Sequence, residues 1–148
     1  MAKKTEVKKE VHTKNSVKLL RPNVYLGTYS GGVIPKQKFD DLLKNGFTSY
    51  DSDRNKYSIA GFDFTYAEHV LYEDEGGNLQ VLVDYLNEYC PGDTISANIS
   101  LTLYQRIKAG DTIFIDNIKL HSLPGNTLLS AGDTSIIAGK AMKCVISK

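Results

Sequence analysis

No tryptophan occurs in this sequence, and cysteine occurs only twice. Cys90 and Cys144 are too few for a disulfide framework; two buried thiols and one bridge both remain open. No apolar run is long enough to span a bilayer, and the N-terminus lacks the apolar stretch of a signal peptide. The expectation is a soluble chain with no export signal of its own and no direct membrane insertion. Charge of one sign is also lacking. The formal charge is +1, and six lysines against Glu6 and Glu10 give residues 1–18 a charge of +4, which leaves −3 for the rest. So weak a field steers neither nucleic acid nor an acidic substrate.

Chemical signatures are missing as well. There is no G-x-S-x-G, P-loop or dinucleotide fingerprint. His69, His121, Cys90 and Cys144 have none of the close spacings, such as C-x-x-C or H-x-x-x-H, that mark a zinc site. "EYCPGD" around Cys90 carries no oxyanion-hole signature to make it a nucleophile. "DSDRN" at 51–55 copies the first ligand positions of a calcium loop, but Lys56 stands where that loop needs glycine, so it reads as an Asx-rich turn. The expectation is a protein that is not an enzyme and needs neither cofactor nor metal.

What is present suits one globular domain: 148 residues, 41% apolar and 24% charged. Residues 1–18 are polar and Lys-rich and read as a flexible tail, with a single domain over 19–148. "NVYLGTY" alternates as a strand, with Tyr25 and Tyr29 on one face. "IPKQKFDDLLKNG" reads as a short helix, with Pro35 in its first turn and Gly46 in the left-handed position after it. "KYSIAGFDFTYAEHVLYED" is a long strand that carries Phe62, Phe64, Tyr66, Glu68, Val70 and Tyr72 on one face. After the turn "EDEGGN", residues 79–90 fit helix or strand, and the turn favours a strand paired in a hairpin. "SLTLYQRIKAG" reads as a second helix, capped by Thr102 and Gly110. "DTIFIDNIKL" alternates as a strand with Asp111 and Lys119 wet, "HSLPGN" makes turns with His121 in the loop, and "KAMKCVIS" closes the fold.

The tripeptide Gly-Asp-Thr occurs three times, at Gly92, Gly110 and Gly132. Its flanks differ each time, so it reads as punctuation: a glycine for positive φ, an aspartate for local amides, a threonine to open a strand. Nine tyrosines stand in for tryptophan. Most suit strands, but Tyr25 and Tyr29 are candidates for a contact surface.

"RPNVYLGTYSGGVIPKQKF", "GFDFTYAEHVLY" and "TLYQRIKAGDTIFIDNIKLHSLPGN", in that order, resemble the C-terminal domain of the GldM/PorM family, the gliding-motility and type IX secretion proteins of Bacteroidetes. The marks are Pro22, Val24, Gly31, Gly32, Phe62, Asp63, Phe64, Gly110, Asp111, Ile115, Asn117 and Ile118. The sequence departs from the family pattern at "HSLPGN" and in the long segment "EDEGGNLQVLVDYLNEYCPGD". It also lacks the membrane helix and further extracytoplasmic domains with which family members begin, so it reads as an excised terminal domain or a stand-alone relative.

The resemblance implies an immunoglobulin-like β-sandwich with one or two short helices, at the end of a dimeric periplasmic shaft that reaches outer-membrane ring lipoproteins. The partners implied are those lipoproteins and a second copy of the chain, with no nucleic acid. On that reading the loops around Tyr25, Tyr29, His121, Pro124 and Asn126 carry the contact. The alternative is a stand-alone carbohydrate-binding sandwich that uses surface tyrosines.

Overall fold

A computed structural model describes residues 21–122 and 136–148. The Lys-rich segment, Pro124, Asn126 and the third Gly-Asp-Thr lie outside the described residues. Among the described residues ten elements follow one another: β1 (Asn23–Tyr25), β2 (Gly32–Pro35), α1 (Lys36–Leu43), β3 (Thr48–Tyr50), β4 (Lys56–Glu73), β5 (Leu79–Pro91), α2 (Ala97–Arg106), β6 (Thr112–Ser122), β7 (Ile137–Ala138) and β8 (Met142–Ser147). The protein is mainly β, as its alternation and tyrosine content imply.

The eight described strands belong to one curled, open sheet in the order β1-β3-β4-β6-β8-β2, with β5 on β4 and β7 on β6. Every pairing is antiparallel except β2 with β8. The spine is β4, whose 18 residues run about 60 Å. Tyr57 and Ile59 point inward at its start, and Phe62, Phe64 and Tyr66 further on. The change of parity comes from an extra residue between the pairs Ile59–Leu120 and Gly61–Lys119. β6 takes up its own extra residue before the pair Asp63–Asp116, where Asn117 adopts φ 49°. One bulge offsets the other, so both strands keep their apolar faces on the core. Asn117 Nδ2 donates to Asp63 Oδ2 at 3.2 Å across this irregularity. "FDF" and "DNIK" are therefore hydrogen-bonded neighbours.

The inner face of the sheet and one side of each helix share a core that includes Val24, Ile34, Phe39, Phe64, Ile99, Leu103, Ile115 and Ile146. Burying such side chains contributes about 1.5–3 kcal/mol each. In the core, Phe47 meets Phe62 edge to face, with ring centroids 5.1 Å apart.

Two hairpin turns share one construction. In "DSDRN", Asp51 N–H donates to Asn55 O and Arg54 N–H to Asp51 O; in "DEGGN", Asp74 N–H donates to Asn78 O and Gly77 N–H to Asp74 O. Arg54 and Gly77 both have positive φ, at 68° and 82°. Each aspartate then accepts from the amides two and four residues on. The Asx-turn reading of "DSDRN" is borne out. Burial acts to raise the Asp51 carboxyl, but the hydrogen bonds from Asn55, Tyr57 and Asp53 outweigh it and hold it below its usual value.

Several local expectations are corrected. β1 ends at Tyr25, because Leu26 and Tyr29 exchange backbone hydrogen bonds around Gly27–Thr28 and the chain reverses there. Pro35 ends β2 and stands as the N-cap of α1 rather than inside its first turn. α2 starts earlier than Thr102: Ser96 is its N-cap, with Oγ accepting from Ile99 N–H at 3.1 Å. Thr102 instead donates back to Asn98 O. Gly110 does not cap α2, which ends at Arg106; its N–H donates to Ile146 O of β8. Gly46 does follow α1 with φ +76°, as expected.

Candidate functional site

The residues singled out by sequence are separated by the fold. Tyr25 lies on the outer face of β1, half-buried, with its ring 6.2 Å from that of Tyr50 on β3. Asn23 Nδ2 donates to the Tyr25 hydroxyl at 3.2 Å. An open groove of about 640 Å³ runs beside them, lined by Gly27, Thr28, Asp51, Ser52 and Arg54. The two rings are tilted by 54°, so they do not form one flat platform.

Tyr29 is not on this face. The reversal at Gly27 turns it to pack partly buried against the core. His121 is not in a loop either: it sits in β6 opposite Ser58. The cross-strand row Val24, Ser49, Tyr57 and Ser122 faces the core; Tyr25 follows Val24 and His121 precedes Ser122, so both share the outer face, with β3 and β4 between them. Cys90 and Cys144 are free, buried thiols. β4 and β6 lie between the strands that carry them.

A second cluster gathers around Asp111, which is fully buried rather than wet. The β4–β6 ladder ends at Ala67–Thr112. The next β4 amide on that side, His69 N–H, has no strand to meet and donates to Asp111 Oδ1 at 2.9 Å. Tyr66 Oη donates to Oδ2 at 2.6 Å, Lys108 N–H to Oδ2 at 3.0 Å, and Lys108 Nζ to Oδ1 at 3.3 Å. Glu68 beside it pairs with Arg106 and, at 3.4 Å, with Lys108. Burial acts to raise the Asp111 carboxyl, but these donors and the Lys108 charge hold it below its usual value. Burial and the Asp111 carboxylate push the Tyr66 phenol above its usual value, so it stays a donor. Both Asp111 oxygens are occupied by donors, and the cluster ties the loop after α2 to β4.

The third feature is an arm that sequence reasoning treated only as a hairpin. β5 pairs with β4 over Gly61–Glu73 and with no other described strand. Beyond His69, β4 has no partner on its other side among the described strands, so the tip of the hairpin is a two-stranded ribbon. Its apolar side chains are exposed on both faces: Leu79 is 69% exposed, Val81 63%, Leu82 50%, Val83 39% and Tyr85 69%. Leu71 and Tyr72 of β4 are exposed beside them.

The alternation "LQVLVDYL" was visible, and apolar residues on both of its faces are the signal of a strand meant to be covered twice. In the structure both faces of the tip, and one edge among the described strands, are left open. Near the base, Tyr89 lies across Gly61, where a Cβ would overlap its hydroxyl, and Lys119 Nζ sits 5.1 Å from its ring centroid. Glycine at 61 makes room for that cation–π contact.

No protein-family model matches the chain, and no curated protein matches it. Among the described residues no helix is long and apolar enough to cross a membrane.

Proposed function

We propose that the chain is a non-catalytic protein-interaction module, located in the periplasm and acting as the terminal domain of a gliding or type IX secretion shaft. The curled sheet corresponds, in this reading, to the immunoglobulin-like β-sandwich of that family. The observation that carries the interaction role is the β4–β5 arm. An exposed ribbon with apolar side chains on both faces and an unpaired edge is costly in water, and contact with another protein removes that cost. Docking onto outer-membrane ring lipoproteins follows from the resemblance alone. Its place in this reading is the outer face that holds Tyr25, Tyr50 and His121, with the 640 Å³ groove against Tyr25 and Tyr50.

The test is a pull-down with the full chain as bait against solubilised envelope of a gliding bacterium. Capture of outer-membrane lipoproteins, lost in a Tyr25→Ala/His121→Ala double variant, is the expected result. Failure of the native chain to capture any lipoprotein refutes the secretion role, and capture that survives the double variant refutes the assigned face. The carbohydrate-binding alternative stands second, because a pair of rings tilted by 54° offers no shared plane for a sugar face.

A further inference from the structure

The open edge of β5 has a definite backbone phase. Asp74 and Asn78 form the hydrogen-bonded pair that closes the turn. Alternation along the ladder therefore turns the N–H and C=O groups of Gln80, Leu82 and Asp84 toward β4. Those of Leu79, Val81, Val83 and Tyr85 point away from it. The devices that usually guard such an edge are missing. All 13 residues of β5 pair with β4 without a bulge, and no lysine or proline falls between Leu79 and Cys90. A regular, apolar edge of this kind is a template for one more strand.

Charge selects the strand. Residues 73–91 hold five acidic residues (Glu73, Asp74, Glu75, Asp84 and Glu88) and no lysine or arginine. Among the described residues, Glu73, Glu75, Asp84 and Glu88 have no ion-pair partner. A field of this sign repels nucleic acid, an anionic lipid surface and a second acidic arm alike, and attracts a basic segment. The two faces of β5 add a pattern. Gln80, Leu82 and Asp84 stand on the same side as buried Cys90, and Leu79, Val81, Val83 and Tyr85 stand on the other.

We propose that this edge takes up an extended segment of another protein, in which lysine or arginine alternates with apolar residues. The inference rests on the interaction-module reading in one respect, that protein covers the arm. The outward groups of Leu79, Val81, Val83 and Tyr85 offer about eight backbone hydrogen bonds to a segment of about seven residues. The segment's apolar side chains lie along those same residues. Its basic side chains lie on the other face, where their stems cover Leu82 and their charged ends reach Asp84.

The probe is a fluorescein-labelled octapeptide alternating lysine and valine, titrated with the full chain and read by fluorescence anisotropy. Saturable binding that weakens as salt is added is expected. A peptide with glutamate in place of lysine should bind more than about tenfold more weakly. Val81→Pro removes an outward N–H and none from the β4 ladder. It should weaken binding more than about tenfold while far-UV circular dichroism stays that of the native chain. Asp84→Asn, at an exposed site, should weaken binding about two- to fivefold and flatten its salt dependence.

No binding, binding indifferent to both variants, or equal binding of the glutamate peptide overturns the proposal. Binding seen only in a Lys8→Glu/Lys9→Glu/Lys14→Glu variant gives the edge to the chain's own Lys-rich segment and overturns it too. So does a dimer, seen by sedimentation velocity, that the peptide dissociates, because the edge then belongs to a second copy. Lipoprotein capture by the Val81→Pro variant separates the two readings: it leaves the docking function standing whatever becomes of the arm. Peptide binding by a chain that captures no lipoprotein leaves the arm standing by itself.

Discussion

Asp111→Ala should be among the most destabilising single changes in this protein. The carboxylate is fully buried and takes four hydrogen bonds, from Tyr66 Oη, His69 N–H, Lys108 N–H and Lys108 Nζ. Alanine leaves a phenol and two backbone amides without an acceptor, and each unsatisfied buried donor costs about 1–3 kcal/mol. Lys108 Nζ is exposed enough to turn to water and adds little. Partial rehydration lowers the sum, so the loss should be about 3–5 kcal/mol, a large share of the roughly 5–15 kcal/mol that holds a domain together.

Tyr66→Phe removes one donor and leaves the others, and should cost about 1–1.5 kcal/mol. pH provides a second handle. The Asp111 carboxyl is held below its usual value of 3.8, so its stabilisation is complete above that value and is lost as pH falls through the lower, folded-state value. The gap between native chain and Asp111→Asn should therefore narrow below about pH 4. Urea unfolding followed by far-UV circular dichroism, at neutral pH and at a series of acidic values, reads both effects. A cost for Asp111→Ala under about 1 kcal/mol, or a gap to Asp111→Asn that ignores pH, would refute the view that this carboxylate closes the β4–β6 ladder.

Three further outcomes are expected. Ser96→Ala should lower stability by about 1 kcal/mol through loss of the α2 cap, whereas Thr102→Ala should change it by a few tenths at most; paired thermal melts compare them. Gly46→Ala should cost about 2 kcal/mol or more, because φ there is +76° and the added Cβ would sit 2.8 Å from Asp93 O, a backbone atom that cannot move aside. Cys144, whose thiol burial pushes up to about 11, should resist alkylation in the folded protein at pH 8 and react once urea unfolds it, as mass spectrometry would show.

The strands and helices that sequence named correctly are those whose pattern is strong within a few residues. The alternation from Lys56 to Glu73, the apolar face of Phe39, Leu42 and Leu43, and the Asp-Ser-Asp-Arg-Asn turn are local facts, set by side-chain period and by amide acceptors within four residues. The missed elements are short and defined by distant partners. β2 exists because β8, more than a hundred residues on, lies parallel beside it; β3 exists between β1 and β4. Ser96 lost to Thr102 as a cap because the start of α2 carries no strong apolar period. The reversal at Gly27 was hidden because the glycine fits the alternation of "NVYLGTY" as well as it fits a turn.

The repeated tripeptide marks the limit. The local pattern marks Gly92 and Gly110 as punctuation, and both have positive φ, 84° and 98°. It did not determine what their aspartates do. Asp93 is exposed, and its carbonyl accepts from Phe47 N–H. Asp111 is buried and completes the edge of β4 from 42 residues away. The glycine's role is a torsion angle, which two neighbours decide; the aspartate's role is a set of donors, which only the closed sheet brings within reach. The arm follows the same rule. Its residues fit helix or strand, and only the tertiary structure showed a strand that leaves both faces of its tip, and one edge among the described strands, open.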